Sequence, residues 1–187
     1  MSQYSLPLKQ SQGPKVAPCL SPHDRVRCKQ LQAEYAEWLS SVSSWENSLF
    51  LTLTFKKSLH RPDRAWEASE IFYDKLSYQW AKANGKANKW KREVRPLQVT
   101  CLERGTNFTE RFHFHTLTDK IAEDLPYELI QRCWTSVDPR LCGRVDIERP
   151  RASKRVLGYI SKWAGYIVKD GDVRLYPSMS RLQRGEG

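Results

Sequence analysis

Arg111-Phe112-His113-Phe114-His115-Thr116-Leu117-Thr118 is the stretch on which the fold turns. It is rich in aromatic and β-branched residues, holds no Gly or Pro, and follows turn-forming residues, so a strand is expected. Successive side chains of a strand point to opposite faces. His113 and His115 therefore leave one face together, and Phe112 and Phe114 leave the other. Two imidazoles side by side make half of a divalent metal site, since neutral imidazole is the commonest protein metal ligand. His-x-His is also a short motif, and a pair of surface His on an amphipathic strand fits it equally well. The neighbouring segments have to decide.

Immediately upstream, residues 97–104 have strand character and carry one acid, Glu103; residues 105–110 form a short turn. The two strands are expected to pair as a hairpin. Residues 48–57 predict another strand, with Leu51, Leu53 and Phe55 on one face and Thr52 and Thr54 on the other, where the Thr pair could line a DNA groove. Residues 143–149 predict a fourth, placing Val145 and Ile147 opposite Asp146 and Glu148, and residues 172–176 a short fifth.

Helices are expected between them. Ser21-Pro22-His23-Asp24 is a helix start, and Leu31, Tyr35, Trp38, Leu39 and Val42 recur behind it at helical spacing to about Ser44. Residues 62–84 form a second, with Trp66, Phe72, Tyr73, Leu76 and Trp80 inward and Asn84-Gly85 at its end. Asp124 is expected to cap a third, through Leu129, Ile130, Cys133, Trp134 and Val137. A fourth is expected from Ser153 to about Lys169. The order α-β-α-β-β-α-β-α-β does not alternate as in a doubly wound sheet. It predicts an α+β fold: an antiparallel sheet of about five strands with helices packed mainly on one face.

At 187 residues the chain suits one domain, residues 21–177, with a disordered segment 1–20 and a basic tail 178–187. No apolar run is long enough to span a membrane, and the N-terminus lacks the regions of a signal peptide. The five Cys include no Cys-x-x-Cys pair. An intracellular, reducing setting is expected, without a disulfide framework or structural zinc. The net charge of +10 calls for a polyanionic partner. Residues 140–187 hold 11 Lys+Arg against 5 Asp+Glu, so 11 − 5 = +6, including Arg174 and Arg181. A second basic cluster, Lys86, Lys89, Lys91, Arg92 and Arg95 around Trp90, suits single-stranded nucleic acid, whose bases stack on aromatics.

The fourth helix carries two stripes. Val156, Ile160, Trp163 and Ile167 form an apolar one; Tyr159, Lys162, Tyr166 and Lys169 lie beside it as two Tyr-x-x-Lys units. A Tyr hydroxyl, with a reference pKa of about 10, is a poor nucleophile at neutral pH. A nearby Lys, or a metal polarising the target phosphate, makes up the difference. The same pattern also fits a helix flank with Tyr bodies packed down and Lys heads in water.

Together these segments resemble the HUH endonuclease superfamily, in particular replication initiator proteins of rolling-circle replicons. Leu49-Phe50-Leu51-Thr52-Leu53-Thr54-Phe55 resembles the first motif, and Arg111-Phe112-His113-Phe114-His115 the second. Tyr166-Ile167-Val168-Lys169-Asp170-Gly171-Asp172 resembles the third, in its geminivirus-like form. The resemblance implies an RRM/ferredoxin-like nuclease fold, with His113, His115 and Glu103 holding Mn²⁺ or Mg²⁺. It implies Tyr166 as nucleophile with Lys169 as helper, and nicking and joining of single-stranded origin DNA or an origin hairpin through a 5′-phosphotyrosine. The released 3′-OH would prime replication in the bacterial cytoplasm or eukaryotic nucleus. Tyr159 and Lys162 are the alternative or second pair. By simple counting, Glu103 shares a face with Leu97, Val99 and Cys101, which have core character. Either a bulge precedes Glu103, or Asp146 or Glu148 replaces it. No Gly-x-x-x-x-Gly-Lys-Ser/Thr loop occurs, so the expectation is an excised nuclease domain or a small initiator using a host helicase and other host replication proteins. A non-catalytic origin-binding module, a single-strand transposase and a relaxase are the competing readings.

Overall fold

The computed structural model describes residues 22–43, 45, 47–59, 61–87, 95–104, 111–119, 125–149 and 172–176. Three helices, α1 (Pro22–Val42), α2 (Pro62–Ala83) and α3 (Tyr127–Thr135), accompany five strands. The strands are β1 (Leu49–Phe55), β2 (Gln98–Arg104), β3 (Phe112–Thr118), β4 (Cys142–Glu148) and β5 (Val173–Tyr176). They form one sheet in the order β4-β1-β3-β2-β5, and every neighbouring pair is antiparallel. This is the α+β architecture that the order of strand and helix patterns predicts. The expected β2–β3 hairpin pairing is present, and β3, the His strand, lies at the centre of the sheet.

The two faces are built differently. On one, Leu49, Leu51, Leu53 and Phe55 of β1 meet Leu102, Phe112, Phe114 and Val145 of the other strands. Trp66, Phe72 and Leu76 of α2 and Ile130, Cys133 and Trp134 of α3 close over them. Phe114 is fully buried here. Its ring centroid lies 5.0 Å from Trp66 and 5.9 Å from Phe55. Phe114→Ala is expected to cost about 3–5 kcal/mol, the usual range for emptying a buried aromatic site. The midpoint of chemical denaturation checks this.

The second face carries Phe50, Val99, Cys101 and Leu117, which pack against Leu39 of α1 and against Trp45, with Tyr35 and Trp38 beside them. Among the described side chains of α1, those that contribute come from its second half; Leu31, part of the expected apolar stripe, is 37% exposed. At the sheet edge, β5 pairs with β2. The Trp66 indole N–H donates to the Asp172 carboxylate (2.6 Å), and the Arg174 guanidinium sits 4.4 Å from the Trp66 ring centroid. Tyr73 stacks on Tyr176.

One expectation about local structure is corrected. α3 starts at Tyr127, with Pro126 in the cap position and no side-chain cap, rather than at an Asp124 cap. A residue that precedes proline is pushed out of the α region, so a helix cannot run through Leu125. Asp124 itself lies outside the described residues. β1 also departs from simple pairing, because the β1–β4 register shifts between Leu53 and Phe55. The Thr54 hydroxyl stitches the irregularity: it donates to the Arg144 carbonyl (2.9 Å) and accepts from the Arg144 N–H (3.0 Å). Gly143 permits that approach, since a Cβ there would lie 3.0 Å from both Thr54 oxygens.

The expected fourth helix, with Tyr159, Lys162, Tyr166 and Lys169, lies outside the described residues. So do Lys89, Trp90, Lys91, Arg92 and Arg181, residues 1–20 and the basic tail.

Candidate metal centre

Strand register arranges the second face in rows. Phe50, Leu117, Val99 and Leu175 lie side by side in the first; Thr52, His115, Cys101 and Val173 in the next; Thr54, His113 and Glu103 in the third. The face is therefore apolar where α1 covers it and polar one row beyond His115. This resolves the conflict over Glu103. Counting places it on the core face correctly, and the β2–β3 pairing runs unbroken from Gln98 to Arg104 without a bulge. The face itself changes character along its length.

Glu103 stands opposite His113 and diagonal to His115, within reach of both as cross-strand neighbours are. Its Oε2 lies 2.9 Å from His113 Nε2 and 2.8 Å from His115 Nε2. The imidazoles meet edge to face, with centroids 5.0 Å apart. Phe50 stacks on His115 at 5.9 Å, and the Thr52 hydroxyl lies 3.3 Å from His115 Nδ1. The side chains of Glu103 and His115 are each 8% exposed, whereas His113 is 25% exposed. The site thus opens to solvent beside His113.

Among the described residues, this is the one group of three or more His, Cys, Asp or Glu side chains whose ligand atoms all lie within 4.8 Å of one another. The donors fit a metal. Two ligands about 2.1 Å from one octahedral ion, at a right angle, lie about 3 Å apart, which matches the spacing between the carboxylate and each imidazole. Two neutral imidazoles and one carboxylate form a mixed N/O set that can hold a divalent ion and leave further positions for water or substrate. Asp146 and Glu148 are not part of the cluster. Asp146 instead pairs with Arg144 at 2.8 Å.

The thiols do not compete for this role. Cys28, Cys101, Cys133 and Cys142 are all outside disulfides. Burial pushes the Cys133 and Cys142 thiols up to about 11, so both stay protonated at neutral pH. Burial likewise raises the phenols of Tyr73 and Tyr176, the latter to about 12. None of these four groups is an activated nucleophile.

Of the residues expected to touch DNA, Thr52 and Thr54 share the face of the His pair, but their hydroxyls engage His115 and the β1–β4 irregularity. Lys86 follows the end of α2, far along the chain from the His strand. Arg174 is committed at the sheet edge to Glu70 (2.5 Å) and Trp66. Sequence reading missed a different group of cations. Lys56 and Lys57 follow β1, Arg104 ends β2, Arg111 precedes β3 and Arg144 is the third residue of β4. All five are exposed and belong to the end of the sheet where His113 lies, although Arg104 sits over the Phe112 ring on the opposite face and Arg144 pairs with Asp146. They come from four separated segments, so no local run of charge announces them.

Compared with known proteins, no family model matches the chain, and no curated protein or solved structure matches it. The fold and site define an α+β sheet protein with a candidate Glu-His-His metal centre on the central strands.

Proposed function

We propose that the protein is a metal-dependent endonuclease of the HUH type, which nicks and rejoins single-stranded DNA at a replication origin through Tyr166. The observation that carries the reading is the convergence of Glu103, His113 and His115 on one ligand position open to solvent. When bound, the divalent ion withdraws charge from a scissile phosphate. The imidazoles suit Mn²⁺ better than Mg²⁺, which prefers oxygen ligands and retains its water.

The chain's own residues do the rest. The exposed cations at the His113 end of the sheet, Lys56 and Lys57 after β1 and Arg111 before β3 among them, suit a phosphate backbone drawn toward the site. The Tyr166 hydroxyl gives up its proton as its oxygen bonds phosphorus; the 3′ oxygen leaves and takes a proton, giving the 3′-OH primer. An incoming 3′-OH reverses the exchange and restores the phenol. Connectivity permits this. Tyr166 precedes Asp172 by 172 − 166 = 6 residues. At most about 3.5 Å per residue keeps its backbone within about 21 Å of Asp172. The Asp172 carbonyl accepts from the Leu102 N–H (3.0 Å), beside Glu103.

The test is to incubate the protein with Mn²⁺ and a pool of single-stranded oligonucleotides and to search for a DNA-linked peptide by mass. The expected peptide contains Tyr166, and EDTA is expected to abolish it. A linked peptide containing Tyr159 would move the nucleophile. Salt-sensitive binding without any adduct would favour a non-catalytic origin-binding module.

A further inference from the structure

The hydroxyl of Thr52 faces the one imidazole nitrogen of His115 that the candidate ligand position does not use. We infer that Thr52 is a positioning residue of the metal centre: it fixes the tautomer and orientation of His115 and so sets metal affinity. This deepens the proposed metal-dependent function and rests on the Glu103-His113-His115 centre being a metal site.

The geometry narrows what His115 can do. It is 6% exposed, with Phe50 stacked against its ring. Its Nε2 faces Glu103 Oε2 at 2.8 Å, and its Nδ1 faces Thr52 Oγ1 at 3.3 Å. The two residues are direct register partners across β1 and β3, so the contact is set by backbone pairing rather than by a flexible reach.

A neutral imidazole carries one N–H and one lone pair. Without metal, the contact with Glu103 places the N–H on Nε2, and the lone pair of Nδ1 accepts from the Thr52 hydroxyl. To ligate through Nε2, the ring must present a lone pair there. The N–H then sits on Nδ1, and the Thr52 oxygen accepts it. A hydroxyl serves both states because it donates and accepts by rotating. A methyl in its place leaves a buried N–H without that acceptor in the ligating state, and partners of this kind typically change metal affinity 10–100-fold. Thr52 also explains part of a motif that the strand alone does not require: Val would pair and pack as well in β1.

The test compares Thr52→Val and Thr52→Ser in the full chain, with free Mn²⁺ read by electron paramagnetic resonance during titration. Thr52→Val keeps shape and strand propensity, and is expected to weaken Mn²⁺ binding about 10–100-fold. Thr52→Ser restores the hydroxyl and is expected to recover most of the affinity. Thermal unfolding without metal separates misfolding from lost positioning. Unchanged affinity in Thr52→Val, or equal losses in both variants, would overturn the inference. If the unaltered chain binds no Mn²⁺, the metal reading itself fails. If it binds Mn²⁺ tightly but forms no DNA adduct, only the nuclease reading fails, and the role of Thr52 still stands on the titration.

Discussion

Glu103→Gln is expected to weaken Mn²⁺ binding by at least about 100-fold while leaving the metal-free fold as stable as before, or more so. The lower bound follows from outer partners of ligands, whose loss already costs 10–100-fold; removing the only carboxylate in the ligand set goes further. Gln preserves length and shape and keeps a carbonyl oxygen as acceptor for the imidazole N–H groups. What it removes is a negative charge held at 6% exposure. Burying such a charge is costly unless it is paired or binds a metal. Apolar or neutral replacements of buried ionic groups are often neutral or stabilising for the fold. Opposite signs are therefore expected from two measurements on one variant: weaker binding in an Mn²⁺ titration, and an equal or higher unfolding midpoint in EDTA. A variant that loses stability in EDTA and keeps its Mn²⁺ affinity would make Glu103 a structural partner of the two His.

Tyr166→Phe is expected to remove the covalent DNA adduct altogether and to leave DNA binding nearly unchanged. The substitution deletes one oxygen, the atom that would bond phosphorus, and keeps the ring. Binding is instead expected to draw on exposed cations elsewhere, among them Lys56, Lys57 and Arg111 at the His113 end of the sheet. Neutralising one phosphate contact lowers the slope of log affinity against log salt by about 1, whereas Tyr166→Phe should leave that slope as it was. Gel-resolved adduct and a salt titration of binding check the two halves. Adduct that persists in Tyr166→Phe and disappears in Tyr159→Phe would assign the chemistry to the earlier Tyr-x-x-Lys unit.

Local rules go far in this chain because its strands and helices carry their own periodicity. Alternation in residues 48–57 and 111–118 gives β1 and β3 to within a residue or two. Helical spacing gives α2 with Trp66, Phe72, Tyr73 and Leu76 buried. The failures have local causes too. The start of α3 was misplaced because Pro126 restricts Leu125, a constraint stronger than an available Asp cap.

The site is a different matter. That His113 and His115 share a face follows from the period of a strand and needs no third dimension. That Glu103 reaches both depends on the hairpin register, which turn residues alone do not fix. Core character around Val99 and Cys101 argued against Glu103 only because counting treats a face as uniform. In the structure α1 covers one end of that face and leaves the other polar. The contact of Thr52 with His115 was invisible for the same reason, since the two residues are 63 apart in the numbering.

The amino-acid sequence by itself determined most of the strands and helices of the described residues, the paired imidazoles and the positive charge, because each depends on neighbours along the chain or on composition. Tertiary structure alone decided that β3 is central, that β1 brings Thr52 and Phe50 against His115, and that cations scattered along the chain come to the end of the sheet where His113 lies. Strand order and register are chosen by how all the faces bury their apolar surface together, and no single segment contains that information.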